Sequence, residues 1–295
     1  MRPTRQRPGV RQTRHAATLQ ILFLAATWGG SYALIKVGLR DLSPGSITVL
    51  RLALGSLFLL PIAIRSGALV GVRERLGWVV AVAVVQILIP VSLIATGEQW
   101  IPSSLAGVLN GSVPIFIALL APLLVREETP GARQIAGIAL GFAGVVAVYG
   151  IDIGGGFYGT LGALCMTGSS IGYALGPLLA RRALSELAPI GLVTAMLGIA
   201  ALLAAPVLLV DGPTEMPGWK ALAAVALLGA LGTGTAFAVY YRVQAVVGPT
   251  RTSVVAYLIP GFALVYGLPL GESIGPGAIV GLACIVGGSV LLARR

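Results

Sequence analysis

Apolar runs of roughly twenty residues dominate the chain, broken at short intervals by Pro, Gly or charge. A helix needs about 20 consecutive apolar residues to cross a bilayer. The runs are continuous rather than alternating, which argues against the dyad-patterned strands of a membrane barrel. The pattern predicts ten spans, at roughly 17–37, 46–65, 76–98, 103–125, 131–150, 157–180, 190–210, 219–242, 250–270 and 276–293. The short connections between them predict a compact bundle.

The runs also repeat. From Pro102 to Gly144 the chain reads as an apolar helix opened by proline, a charged turn, and a glycine-rich apolar helix. A second copy lies between Pro249 and Gly288. Glu128, Gly137 and Gly144 match Glu272, Gly281 and Gly288, each 144 positions on. Tyr32 with Tyr173, Pro44 with Pro189, Pro61 with Pro206 and Trp78 with Trp219 recur at offsets of 141 to 145. The protein reads as two copies of one unit: a basic cytoplasmic tail at 1–15, a first repeat at 16–150 and a second at 157–293.

Composition supports the bilayer as solvent. The chain is 57% hydrophobic and 10% charged, against about 25% charged in soluble domains. The net charge of +10 does not point to nucleic acid, because the basic residues fall in alternate loops. Of the 20 Lys and Arg, Lys36, Arg40 and Lys220 fall in one set of loops and Arg51 inside a span, leaving sixteen in the other set. Cytoplasmic loops carry the excess of Lys and Arg, so both termini are expected in the cytoplasm. The first fifteen residues are read as a disordered tail ahead of an uncleaved span. Five spans per half is an odd number, so the second unit enters the membrane from the opposite side. Inverted repeats of this kind support alternating access.

WGGSYALIKVGL, followed by Pro44 and a second span bearing Arg51, resembles the start of an EamA-type unit. So does SLAGVLNGSVPIFIALLAPLLVREETPGARQIAGIALGFAGVV. On these motifs the chain is identified as a member of the drug/metabolite transporter superfamily. The resemblance implies an all-α membrane protein with ten transmembrane helices in two inverted five-helix repeats. It implies a central cavity lined by spans 1, 3, 4, 6, 8 and 9, and export of small metabolites. Amino-acid export across the cell inner membrane is the leading expectation. Efflux of cationic or lipophilic drugs and a sugar-type permease are the alternatives.

Polar groups in hydrocarbon are costly and face the bundle interior. Asn110, beside Ser112 and the helix-breaking Pro114, is a candidate to bind a substrate amino or carboxyl group; the competing role is an interhelical hydrogen bond. Gln86 in span 3 carries the same two readings. Trp28 and Tyr32, four apart on span 1, form either an aromatic cavity wall or ordinary packing. Tyr173 and Tyr257 are similar candidates in the second half. Thr233 lies in the run GALGTGTA, where close backbone packing competes with substrate contact. Pro114 and Pro260 either kink gating helices or accommodate packing. Arg51 is expected to snorkel to the interface, to form an ion pair or to meet ligand, and Lys36 reads as an anchor.

The carboxylates Asp41, Glu74, Glu98, Glu127, Glu128, Asp152, Glu186, Asp211, Glu215 and Glu272 all fall in loops or at span ends. This placement predicts substrate counterflow without an imposed pH gradient, with coupling through Glu98 or Glu272 left open. Cys165 and Cys284 read as small packing residues. The single histidine, His15, lies in the tail. No catalytic constellation, metal site or cofactor motif is expected; the expected partners are a small-molecule substrate and lipid.

Overall fold

The computed structural model describes residues 10–125, 131–151, 156–213, 215–247, 252 and 254–293. Among these the chain is helical throughout, with no strand. Ten consecutive helices are labelled here. They are α1 (Val10–Gly38), α2 (Pro44–Arg65), α3 (Arg73–Gly97), α4 (Ser103–Asn110 and Val113–Val125), α5 (Ala132–Ile151) and α6 (Gly156–Ala183). Then follow α7 (Pro189–Asp211), α8 (Trp219–Val247), α9 (Val254–Gly267) and α10 (Pro276–Ala293).

Seven of the helices, α1–α4 and α6–α8, carry stretches long and apolar enough to cross a membrane. In α5, α9 and α10 the apolar helices are shorter: Ile135–Ala147, Leu258–Leu270 and Pro276–Gly288. The chain is a multi-pass membrane protein. Its outward faces carry large exposed apolar residues such as Leu57, Leu123, Leu202 and Leu209, as lipid contact requires.

Helix ends follow local chemistry. Ser43 caps α2, its Oγ accepting from Ser46 N at 3.1 Å, with Pro44 at the first helical position. Pro189 opens α7 in the same way. α1 is already helical from Val10, through residues read from sequence as tail; its apolar part is Leu19–Gly38. The charged turn with Arg126, Glu127 and Glu128 lies outside the described residues, as do Asp152 and Arg251.

Four helices depart from regular α geometry: α7 carries a 3-10 turn at Ala205–Val207, and α4, α3 and α8 depart further. α4 is interrupted at Gly111–Ser112, where the sequence predicted one continuous span. Pro114 has no N–H to donate to the carbonyl of Asn110, and Ser112 Oγ donates to Leu109 O at 2.7 Å, holding the turn. α3 and α8 each contain a π-helical segment, Ala83–Leu88 and Leu228–Thr235. Their first residues are 145 apart, the spacing of the sequence repeat. In α8 the widened turns are tied by Thr233 Oγ1 to Leu228 O (2.9 Å) and Thr235 Oγ1 to Ala230 O (2.8 Å), both five residues back.

Packing pairs the two halves. α5 lies on α10, α4 on α9 and α2 on α7. α1 packs on α9 as α6 packs on α4; α3 meets α6 as α8 meets α1; α2 meets α8 as α7 meets α3. The α5–α10 contact rests on backbone approach. A Cβ on Gly144 would lie 2.9 Å from Gly281 O, and one on Gly288 would lie 2.8 Å from Gly141 N. Cys284 packs at the same seam, its Cβ against Gly144, and Cys165 and Cys284 are free thiols.

The loops sort to two ends. At one end the α1–α2, α3–α4, α7–α8 and α9–α10 connections converge. Ser43 Oγ and Ser46 Oγ (3.0 Å) both donate to Asp211 O, Gly218 N donates to Asp41 (2.9 Å), and Glu272 reaches Ser103 and Ser104. At the other end Arg75, before the body of α3, pairs with Glu186 of the α6–α7 connection at 3.2 Å. That pair is exposed and contributes little to stability.

Candidate functional site

The site is built around α1, whose Trp28, Tyr32 and Lys36 follow at four-residue intervals and share one stripe. Trp28 Nε1 donates to Gly232 O at 3.1 Å, in the π segment of α8, and its ring meets Phe237 edge-on. Tyr32 is buried against Gly107 of α4. Lys36, read from sequence as an interface anchor, turns inward instead. Its Nζ donates to Glu98 O (2.6 Å) and Ile101 O (3.0 Å). An ammonium there satisfies carbonyls at the C-terminus of α3 and complements the negative end of its dipole.

Arg51 does not snorkel. Only 3% of it is exposed, and its Nε donates to Thr233 Oγ1 at 2.8 Å. Thr233 Oγ1 in turn donates to Leu228 O, so the π segment orients the guanidinium. Arg51 Nη1 is buried without an acceptor.

Glu98 is the second such group. It follows the last residue of α3 and is 0% exposed, and neither carboxylate oxygen has a donor. Burial pushes its carboxyl well above the usual carboxylate range, with Lys36 and Arg51 opposing the shift and Glu272 adding to it. Arg51 and Glu98 interact electrostatically, yet the only ion pair among the described residues is Arg75–Glu186. An arginine and a carboxyl are therefore held in one interior without pairing.

Glu272 completes the region. α9 ends in the turn Leu268–Leu270, and Gly271 follows at φ 78°, a left-handed conformation that glycine adopts without a Cβ penalty. The reversal delivers Glu272 to the N-terminus of α4. Oε1 accepts from Ser103 N at 2.7 Å and Oε2 from Ser104 N at 2.8 Å. A carboxylate at a helix N-terminus satisfies free N–H groups and the positive end of the dipole. This contact joins the second half of the chain to the first. Beside it lies a cavity of ≈ 490 Å³ lined by Lys36, Arg40, Glu98, Gln99, Asp211 and Glu272 among others.

The other sequence candidates divide. Asn110 stands at the α4 break, and its Nδ2 donates to Ser169 Oγ of α6 at 3.3 Å. Tyr173 of α6 lies within electrostatic reach of Arg51 and Tyr32. Gln86 is turned between helices: Tyr241 Oη donates to its Oε1 at 2.6 Å, and its side chain packs over Gly176. Pro114 opens the second half of α4. Pro260 lies inside an unbroken α9 and faces Gly111 at the α4 break, where a Cβ would come within 2.6 Å of its Cγ. The Tyr257 side chain is outside the described residues.

Arg51, Glu98 and Lys36 were underweighted by sequence reasoning. The available signals were that Arg51 is the only Lys or Arg set away from the ends of the predicted spans and that Glu98 follows an apolar run with Gly97 alone between it and Thr96.

Comparison with known proteins places this architecture. A model of the EamA-like transporter family matches residues 15–150 and again 160–294. The chain belongs to the EamA-like transporter family. Its two matched segments are the two halves that pack on one another above. The chain is 24% identical over 273 residues to the uncharacterized transporter YoaV of Bacillus subtilis, covering 90% of this chain and 93% of that one. It is 27% identical over 254 residues to the uncharacterized inner membrane transporter YedA of Escherichia coli K12, covering 83% and 79%. A protein of known crystal structure shares the fold with a TM-score of 0.70 and 21% identity, over 95% of this chain and 98% of that one. EamA-like proteins are transporters rather than enzymes.

Proposed function

We propose that this EamA-family protein exports α-amino acids across the cytoplasmic membrane by alternating access between two inverted five-helix repeats. The carrying observation is the pair of buried, mutually unpaired ionisable groups, Arg51 and Glu98. Leaving a charge buried without a partner costs several kcal/mol. A zwitterion brings a carboxylate to Arg51 and an ammonium to Glu98 and satisfies both. A cationic drug answers only Glu98, and a neutral sugar answers neither charge. Tyr32, Tyr173, Trp28 and Asn110 are proposed to line the same path.

The inverted, ten-crossing topology is supported by where the loops gather. The α1–α2 loop and its repeat counterpart, the α6–α7 loop, lie at opposite ends. So do the α2–α3 loop and its counterpart, the α7–α8 loop. The paired π segments and the reciprocal helix contacts point the same way. With the arginine-rich loops in the cytoplasm, the Glu98–Glu272 cavity faces outward and both termini face inward. Export is the direction implied by the family resemblance, and an inner-membrane location is supported by the similarity to YedA, an inner membrane transporter.

The test is reconstitution. Vesicles containing the purified protein are loaded with each of the twenty protein amino acids, tetraphenylphosphonium or glucose. Efflux of one or more amino acids at least about tenfold over protein-free vesicles is expected, with loss in Arg51→Ala. Movement of tetraphenylphosphonium or glucose without any amino acid overturns the substrate class.

A further inference from the structure

A carrier that binds an ammonium through a buried carboxylate must resolve that charge when the substrate leaves. Glu98 is fully buried with both oxygens undonated, yet it lines the cavity whose rim residues Arg40, Gln99 and Asp211 are exposed. The titratable and charged groups around it come from several elements. Tyr32 and Lys36 face it from α1 and Arg51 from α2. Cys165 of α6 packs across Gly97, and Glu272 follows α9. Arg40 and Asp211 share its cavity.

The nearby cations are directed elsewhere. Lys36 Nζ donates to the carbonyls of Glu98 and Ile101, and Arg51 Nε donates to Thr233. Glu272 holds its own donors at Ser103 and Ser104, so it stands as an anion beside Glu98 and disfavours a second negative charge. A bare carboxylate in this position is costly, and either a proton or an ammonium relieves the cost. The two ligands compete for one group.

We propose that Glu98 is the proton-binding site of the transport cycle, exchanging one proton for the ammonium group of each substrate molecule. The identity of the ammonium rests on the amino-acid reading above; the proton does not. Substrate arriving from the cytoplasm displaces the proton, the Glu98 O–H bond breaks, and the proton leaves to water on that side. After outward release, water in the cavity delivers a proton and the O–H bond re-forms. One proton enters for each substrate exported. Exchange of substrate for substrate still proceeds without a pH gradient, as the sequence predicts, whereas net export is driven by one.

Two measurements separate this site from the substrate reading. In the first, the full-length protein in lipid nanodiscs is titrated from about pH 4 to about pH 10 while the infrared C=O stretch of protonated carboxyls is followed. This needs no substrate. A band persisting above the usual carboxylate range is expected in wild type and in Glu272→Gln, and is expected to vanish in Glu98→Gln. No band above the usual carboxylate range, or a band that survives Glu98→Gln, overturns the proposal. In the second, vesicles loaded with an equimolar mixture of the twenty protein amino acids carry a fluorescent pH reporter. Wild type is expected to take up about one proton per amino acid released. Glu98→Gln is expected to take up none, and Glu98→Asp to restore uptake in part. Amino-acid efflux without proton movement also overturns the proposal. A Glu98-dependent band with no amino-acid efflux supports the proton site and overturns the substrate class alone.

Discussion

At the scale of residues, burial decides what each charge can do. Sequence alone left Arg51 open between snorkelling, an ion pair and ligand contact, and placed Glu98 in a loop or at a span end. Packing instead closes over both. The raised carboxyl of Glu98 has a consequence for stability. The folded state holds a proton on Glu98 at pH values where the unfolded chain, ionising near the ordinary pKa of about 4.3, has lost it. In that window the native state binds more protons than the unfolded state, so stability falls as pH rises. Its contribution is fully present below the unfolded pKa and lost as pH passes through the folded one. Thermal unfolding in detergent is expected to show a melting temperature that declines above the usual carboxylate range. Glu98→Gln is expected to remove that slope, whereas a slope equal to wild type assigns the decline to other groups.

At the scale of elements, helix breaks and close approaches position those residues. The π segment of α8 presents Thr233 to Arg51, and the Gly271 reversal delivers Glu272 to α4. The α4 break sets Asn110 opposite Ser169. The α5–α10 seam is a contact of backbones. Adding branched side chains there forces the helices apart, and overpacking typically costs about 1–3 kcal/mol. Gly288→Val is accordingly expected to lower thermal stability in detergent by that amount. Gly67→Ala is the control for glycine loss away from the seam, since nothing lies within 4 Å of a Cβ there; its positive φ of 65° makes its own cost one of backbone strain. Equal stability of Gly288→Val and wild type contradicts the close-packed seam.

At the scale of the whole molecule, the two ends are chemically different. One gathers Lys36, Arg40, Asp41, Glu98, Asp211 and Glu272; the other carries Arg75 and Glu186. The proposed orientation puts the first end outside. On a background with Cys165 and Cys284 replaced by Ala, a cysteine at Gly218 is expected to react with a membrane-impermeant maleimide added to whole spheroplasts. One at Gly67 is expected to react only after permeabilisation. The reverse pattern inverts the proposed orientation, and with it the direction assigned to the cavity.

The membrane, the apolar segments and the two-copy organisation were legible in the sequence, because each depends on composition and period along the chain. Runs of about twenty apolar residues and landmarks 144 apart need no tertiary contact to be recognised. Trp28, Tyr32, Asn110 and Thr233 were singled out the same way, as polar or aromatic side chains stranded in hydrocarbon. The break at Gly111–Ser112 was half visible in Pro114. The paired π segments were not visible, since the threonine that ties the α8 segment to a carbonyl five residues back reads in sequence as close packing or substrate contact. Nor was the state of the charges. Whether Glu98 meets water, Lys36 or nothing depends on helices far apart in sequence arriving at one point. The chain by itself settled what kind of solvent surrounds this protein and that its two halves share one plan. Only tertiary packing decided that Arg51 and Glu98 face one interior unpaired, because desolvation is a property of the neighbours and not of the residue.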